Sequence, residues 1–368
     1  MTAITGCAVD GHATRGPVDL DTGEFGSRQS SALSEGTGGI QWAKLRGIRL
    51  ADHLVFPRDV DGDLVEIKLP LQPLAAPNNI AAVLGGTAAD LPVVKRFAYG
   101  YTVAAGEEGA GALGFSHAVM VFDSPEAAEA AADDFAKAVM ADDEYTTDVR
   151  SRPIAGVPDG TRTVQFKTVI GETAIGFTPI GSMLMYSWGQ AKDLARAETI
   201  VKTALVKQKS LLDPMPTISD DRNADPTGLI RGTVAGDNGG DPLERSVYGT
   251  RGAALQFNDQ PAAYAAMSKA GVTAVSQDGT HAYRTAGKDQ TKGLADFLLK
   301  YAVGYSDAKA AASPRDLPSA RCWSYVFDYD ARHGCVVEVD RYVGESTGTT
   351  LKEAQQKIAA QSVFLADL

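Results

Sequence analysis

The chain has 368 residues, more than one hydrophobic core usually organises, so two domains are the expectation. Apolar residues make up 44% and charged residues 22%, ordinary globular usage, while 35 Lys and Arg against 46 Asp and Glu leave a formal net charge of −11. This acidic balance, without clustered cations for phosphate, argues against nucleic acid as a partner, and no stretch reaches the roughly 18–20 apolar residues that span a bilayer.

In chain order, residues 1–39 are rich in Gly, Ser, Thr and Asp beyond Cys7 and read as a tether or loosely packed arm. Residues 40–213 form a first body. There, Gly114–Phe122 has the β-branched and aromatic content of a buried strand and runs into Asp123-Ser124-Pro125-Glu126. Ser124 suits an N-cap, Pro125 the first helical position and Glu126 the positive end of the macrodipole. A helix to about Ala141 follows, with Ala127, Ala131, Phe135, Ala138 and Val139 as its apolar face. Three strands near residues 162–170, 173–180 and 182–188 are punctuated by Gly171-Glu172 and Gly181, and a second helix covers residues 192–212. Residues 214–242, rich in Pro, Gly, Asp and Asn, read as a linker.

The second body, residues 243–368, shows a similar order. A strand is expected at 253–257, a short helix at 261–269, a hairpin of 272–277 with 281–285 across Asp278-Gly279, a helix at 294–303 and a closing helix at 351–365, where Thr350 and Glu353 make a capping box. Each body is thus α+β, an antiparallel sheet covered by helices on one face. The shared order of elements allows a duplication without establishing one.

The three cysteines divide two to one. Cys322 and Cys335 bracket CWSYVFDYDARHGC, which reads as two strands around a reversal, the arrangement that brings two sulfurs within bonding range. A disulfide there implies an oxidising compartment; the alternatives are two buried free thiols or, with His333, a zinc site lacking further ligands. Cys7 would then be the odd thiol, and Ile4-Thr5-Gly6-Cys7 looks like a bacterial lipobox, whose Cys receives a diacylglycerol. The six preceding residues cannot supply a signal segment, so the natural start is expected upstream of Met1.

Other motifs fall short of a complete site. Gly109 to Gly114 satisfies G-x-G-x-x-G but precedes a strand where a dinucleotide fold needs a helix, and reads as a loop. Gly344-Glu345-Ser346-Thr347-Gly348 satisfies G-x-S-x-G, with a strand ending at Val343 and a helix starting near Thr350, the context of a nucleophile elbow. No His follows Ser346, and His333 could approach only from the preceding hairpin. Asp59, Asp61 and Asp63 alternate like calcium ligands, but Gly and Glu do not stand where an EF-hand loop needs them. The five histidines form no pair at helical ligand spacing. Trp323, Tyr325, Phe327 and Tyr329 share one face of a strand and are a candidate ligand face, or else the core side of that strand.

The runs Leu20-Asp21-Thr22-Gly23-Glu24-Phe25 and Leu50-Ala51-Asp52-His53-Leu54-Val55-Phe56-Pro57, the ending Cys322…Cys335…Asp340-Arg341-Tyr342-Val343, and Ala359-Ala360-Gln361 together resemble the two-domain secreted lipoproteins of mycobacteria, nocardiae and relatives. That group is a domain of unknown function with its own C-terminal domain. The resemblance implies an envelope location and a paired Cys322 and Cys335; it lends no catalytic residue, metal or cofactor. The expected function is therefore a lipid-anchored, extracytoplasmic, non-catalytic protein that meets the membrane through Cys7 and binds an envelope lipid, glycan or protein. The rival reading is an extracytoplasmic hydrolase using Ser346.

Overall fold

Among the described residues, fourteen strands form two antiparallel sheets of seven in the computed structural model. It describes residues 20–33, 38–141, 146–214, 216–237, 243, 245–302, 304, 308–327 and 330–368. The first sheet contains β1 (Glu66–Leu74), β2 (Phe97–Gly106), β3 (Gly114–Phe122), β4 (Thr147–Arg150), β5 (Arg162–Thr168), β6 (Gly171–Ile180) and β7 (Met183–Ala191), in the order β1-β2-β3-β7-β6-β5-β4. The second contains β8 (Ser246–Tyr248), β9 (Ala274–Gln277), β10 (Thr280–Arg284), β11 (Lys309–Ala311), β12 (Arg321–Phe327), β13 (Asp330–Val339) and β14 (Tyr342–Gly348), in the order β11-β12-β13-β14-β10-β9-β8. The long helices are α1 (Gly39–Leu50), α2 (Pro125–Ala141), α3 (Leu194–Leu211), α4 (Gln260–Lys269), α5 (Lys288–Ala302) and α6 (Leu351–Ala366).

Read from β8, the second sheet repeats the order of the first. In both halves three strands lead to a helix, then four strands, then a last helix. The register agrees residue by residue. One displacement carries Arg162–Thr168 onto Arg321–Phe327, Gly171–Ile180 onto Asp330–Val339 and the start of β7 at Met183 onto the start of β14 at Tyr342. The β6–β7 and β13–β14 turns also match, with Gly181 at φ 54° and its counterpart Asp340 at φ 48°, the left-handed conformation that a tight hairpin requires. Helices α2 and α5 correspond with a displacement four residues longer (163 for Ala128 to Thr291, against 159 for Arg162 to Arg321): the buried Ala128, Ala131, Ala132 and Phe135 map onto the buried Thr291, Leu294, Ala295 and Leu298. The chain is a tandem repeat of one α+β unit.

Each sheet carries helices on a second face as well. In β3, Ala118, Met120 and Phe122 pack under α2, while Phe115, Val119 and Val121 join the core under α3, so strand alternation feeds two cores and the sequence reads as one nearly continuous apolar run. In the second sheet Tyr283, Trp323 and Val336 face α5, and Cys322, Cys335 and Val337 face Ala354 and Ile358 of α6.

The two halves share a hydrophobic cluster that runs from the α3 side of the first sheet to the α5 side of the second. At the seam the Asp52 carboxylate accepts from Gly252 N at 2.7 Å, Arg251 Nε donates to Leu54 O at 2.8 Å, and Asn258 Oδ1 accepts from Ile67 N at 2.9 Å. These bonds explain a departure from expectation. Residues 253–257 are not a strand; Thr250–Ala254 is a short helix, whose alanines favour that form and whose Gly252 N–H is taken by Asp52.

Two segments expected to stand apart from the bodies are packed where they are described. In the arm, Phe25 is buried against Val234, Ala360 and Phe364, Ser30 Oγ donates to Asp278 at 2.8 Å, and Gln29 bridges to Val234. Within residues 214–242, Leu229, Ile230 and Val234 are buried in the second half. Edge strand β1 holds Pro70 and Pro73, which cost an edge little because the outward N–H has no ladder partner to lose.

Candidate functional site

Cys322 and Cys335 sit directly opposite each other on β12 and β13 and are bonded, with S–S 2.01 Å and Cα–Cα 4.1 Å. Both are buried beneath α6. Cys7 lies outside the described residues.

Ser346 is not on an elbow. Strand β14 continues through Gly348, and Ser346 lies within it, paired with Cys335 on one side and Thr280 on the other. It is 1% exposed, and its Oγ donates to Ala354 O at 2.9 Å. The flanking glycines serve helix packing instead: a Cβ at Gly344 would meet the Gln361 side chain at 2.9 Å, and one at Gly348 would meet Ala354 N at 2.8 Å. His333 stands opposite Gly348, and its Nδ1 bonds the Ser324 hydroxyl at 2.7 Å.

The aromatic ladder grades from core to surface. Trp323 is 2% exposed with its indole over Gly334, Tyr325 is half-buried against the same core, and Phe327 is 55% exposed. Tyr329 lies outside the described residues. Of the acidic triplet, Asp61 and Asp63 are held by Arg196, whose Nε reaches Asp61 Oδ2 at 3.1 Å and whose Nη2 reaches Asp63 Oδ2 at 2.7 Å. Among the described residues no group of three or more His, Cys, Asp or Glu could hold a metal ion. The G-x-G-x-x-G segment links β2 to β3, with Gly109 at φ 76° and its N–H donating to Glu66.

One polar cluster escaped the sequence reading. His117 on β3 is fully buried, its Nδ1 2.8 Å from Ser187 Oγ on β7 and its Nε2 3.1 Å from Gln208 Oε1 on α3. That Gln208 oxygen also accepts from Val55 N at 2.9 Å, and its amide donates to His53 O at 2.7 Å. Because Val55 N–H can only donate, Gln208 Oε1 is an acceptor and His117 Nε2 carries the proton, leaving Nδ1 to accept from Ser187. Burial holds the imidazole neutral and lowers its pKa to about 4, against a smaller upward pull from Gln208. Every ring nitrogen is satisfied within the protein, so the cluster ties β3, β7 and α3 together. A lone His in an apolar strand gives no sign of these partners.

Two hollows remain. One, about 240 Å³, lies where the arm crosses the β9–β10 turn and is lined by charged groups. Those groups already have partners: Arg28 pairs with Asp237, Lys357 with Glu353 at 2.7 Å, and Asp278 accepts from Ser30 Oγ and Gly236 N. The other, about 170 Å³, opens between the last turns of α2, strands β5 to β7 and the short helix Ala81–Leu84. Its floor is the buried Phe166, Ile175 and Tyr186, and its rim the half-buried Val83, Leu84, Ala138, Val139 and Trp188. Thr146 completes the described lining, none of which is charged. Tyr186 Oη donates to Val83 O at a long 3.5 Å, and burial raises its pKa well above that of a free phenol. An aromatic-floored cleft whose described lining is uncharged can receive an apolar group.

The sequence pattern of a domain of unknown function, DUF7373, N-terminal part, matches residues 34–228, and that of its C-terminal part matches residues 217–368. No curated protein matches the chain. Among solved structures, the extracellular domain of PknH from Mycobacterium tuberculosis matches 49% of this chain and 98% of its own length at 13% identity and a TM-score of 0.31, a likeness that carries no argument.

Proposed function

Since the chain belongs to the two-part DUF7373 family, we propose that it is a non-catalytic binding protein of the cell envelope, held outside the cytoplasm by a diacylglycerol on Cys7. The observation that carries the extracytoplasmic part is the Cys322–Cys335 bond, since such bonds persist in oxidising compartments. No helix of the described residues is long and apolar enough to cross a membrane, which leaves a covalent lipid as the attachment the lipobox-like Ile4-Thr5-Gly6-Cys7 supplies. Binding without catalysis is supported by the buried Ser346 hydroxyl, bonded to Ala354 O, and by the cleft under α2, whose described lining is uncharged.

The test is intact mass of the protein from the membrane fraction of its own host. The expected result is a diacylglyceryl-modified Cys7 and release of a Cys7→Ser variant to the soluble fraction. Unmodified Cys7 would overturn the anchor, and labelling of Ser346 by a serine-reactive fluorophosphonate would overturn the non-catalytic reading.

A further inference from the structure

The tandem repeat supplies an internal comparison for the cleft under α2. The displacement that carries α2 onto α5 carries Asp133 onto Asp296, and both aspartates pair with the first residue of the corresponding strand, Arg162 in β5 and Arg321 in β12. The alignment of helix on sheet is thus fixed at the middle of each helix. By the same displacement Ala138 on the cleft rim corresponds to Tyr301. The Tyr301 ring packs on Phe257 at 5.0 Å and Phe297 at 6.1 Å, and its hydroxyl accepts from Asn258 N at 2.8 Å. On the cleft floor, Tyr186 corresponds to Glu345, which accepts from Tyr283 Oη at 2.8 Å. Where the second half places a phenol ring and a carboxylate, the first half places a methyl group and an uncharged ring.

We propose that this cleft is a binding site for the terminal part of a single alkyl or acyl chain whose polar end stays in solvent. Three features select that ligand. The described lining carries no charge and gives no partner to an ionic or multiply polar group, whose burial against it would be unfavourable. The volume, about 170 Å³, is close to that of apolar cavities that admit a benzene-sized group, so it takes one chain end and not a whole lipid. The rim is half-buried, so an amphiphile can insert its tail without burying its head. Only the ligand class is added to the binding reading above, on which this assignment rests; the assay below uses the isolated chain and is indifferent to the state of Cys7.

The chain has three tryptophans, Trp42, Trp188 and Trp323, and only Trp188 lines the cleft. Labelled with 5-fluorotryptophan, it gives three ¹⁹F resonances assignable by single Trp→Phe substitutions. Sodium decanoate, titrated below its micelle concentration, is expected to shift Trp188 saturably and leave Trp42 and Trp323 in place. Ala138→Tyr, which installs the side chain of the second half, is expected to weaken that binding at least about tenfold. Leu84→Trp, on the opposite rim, fills the cleft independently should Ala138→Tyr disturb the fold, and unchanged Trp42 and Trp323 resonances report folding of the first and second halves in both. The proposal is overturned by the absence of a saturable Trp188 shift, by a shift that survives in both filled variants, or by a response to toluene with none to decanoate.

Discussion

Arg162 and Arg321 are counterparts: each opens the second strand of its four-strand run, and each reaches across to the same position of the preceding helix, Asp133 at 2.8 Å and Asp296 at 2.5 Å. A second carboxylate joins each arginine, Glu129 at 2.5 Å in the first half and Glu338 at 3.3 Å in the second. The pairing locks helix register against the sheet in both repeats, although few other side chains are shared between them. These pairs are partly exposed, so their contribution is modest. Arg162→Ala and Arg321→Ala are each expected to lower stability by about 1 kcal/mol in urea unfolding, and the double variant to be additive within about 0.5 kcal/mol, since the two sites share no partner.

The His117 network predicts a pH dependence with a definite sign. Folding lowers the His117 pKa from 6.5 to about 4, so between these values the unfolded chain binds the extra proton. The contribution is fully present above pH 6.5 and is lost as pH falls toward 4, by at most about 3 kcal/mol at 1.36 kcal/mol per pKa unit. His117→Asn removes the titrating group: it is expected to be less stable than the parent at pH 7.5, with the gap narrowing as pH falls to 4.5. A constant gap across this range in chemical denaturation would show that His117 does not titrate as described.

Cys322 and Cys335 are 13 positions apart, a loop whose closure stabilises by about 3 kcal/mol on the chain-entropy account. The Cys322→Ser/Cys335→Ser double variant is expected to lose about 2–4 kcal/mol and to unfold at the same denaturant concentration with or without dithiothreitol, while the parent is destabilised only by the reductant. Equal stability of parent and variant under oxidising conditions would mean the bond contributes nothing.

What the sequence showed depended on how local the cause was. The α2 start was legible because Ser124 caps it, accepting from Ala127 N at 3.2 Å, and the α6 start because Thr350 and Glu353 act on adjacent backbone groups. The cysteine hairpin was legible from its two strands and intervening reversal. The repeat was not, because its matched positions keep burial and register while changing identity: Thr163 against Cys322, Val164 against Trp323, Gly176 against Cys335. Even the shared Ser187 and Ser346 have different partners, His117 in one half and Ala354 in the other. Residues 344–348 were misread because glycine signals both a sharp turn and a close helix approach, and only the position of α6 decides between them. Ala138 and Val139 were correctly placed on the apolar face of α2, but the cleft they rim also needs Val83, Leu84 and three strands distant in sequence.

The most direct test of a first half that holds a lipid tail is native mass spectrometry of the protein purified gently from its own envelope. The account predicts one single-chain amphiphile bound per protein, absent from Ala138→Tyr protein prepared identically. Lipid-free parent protein, or equal retention of the amphiphile by the variant, would contradict it.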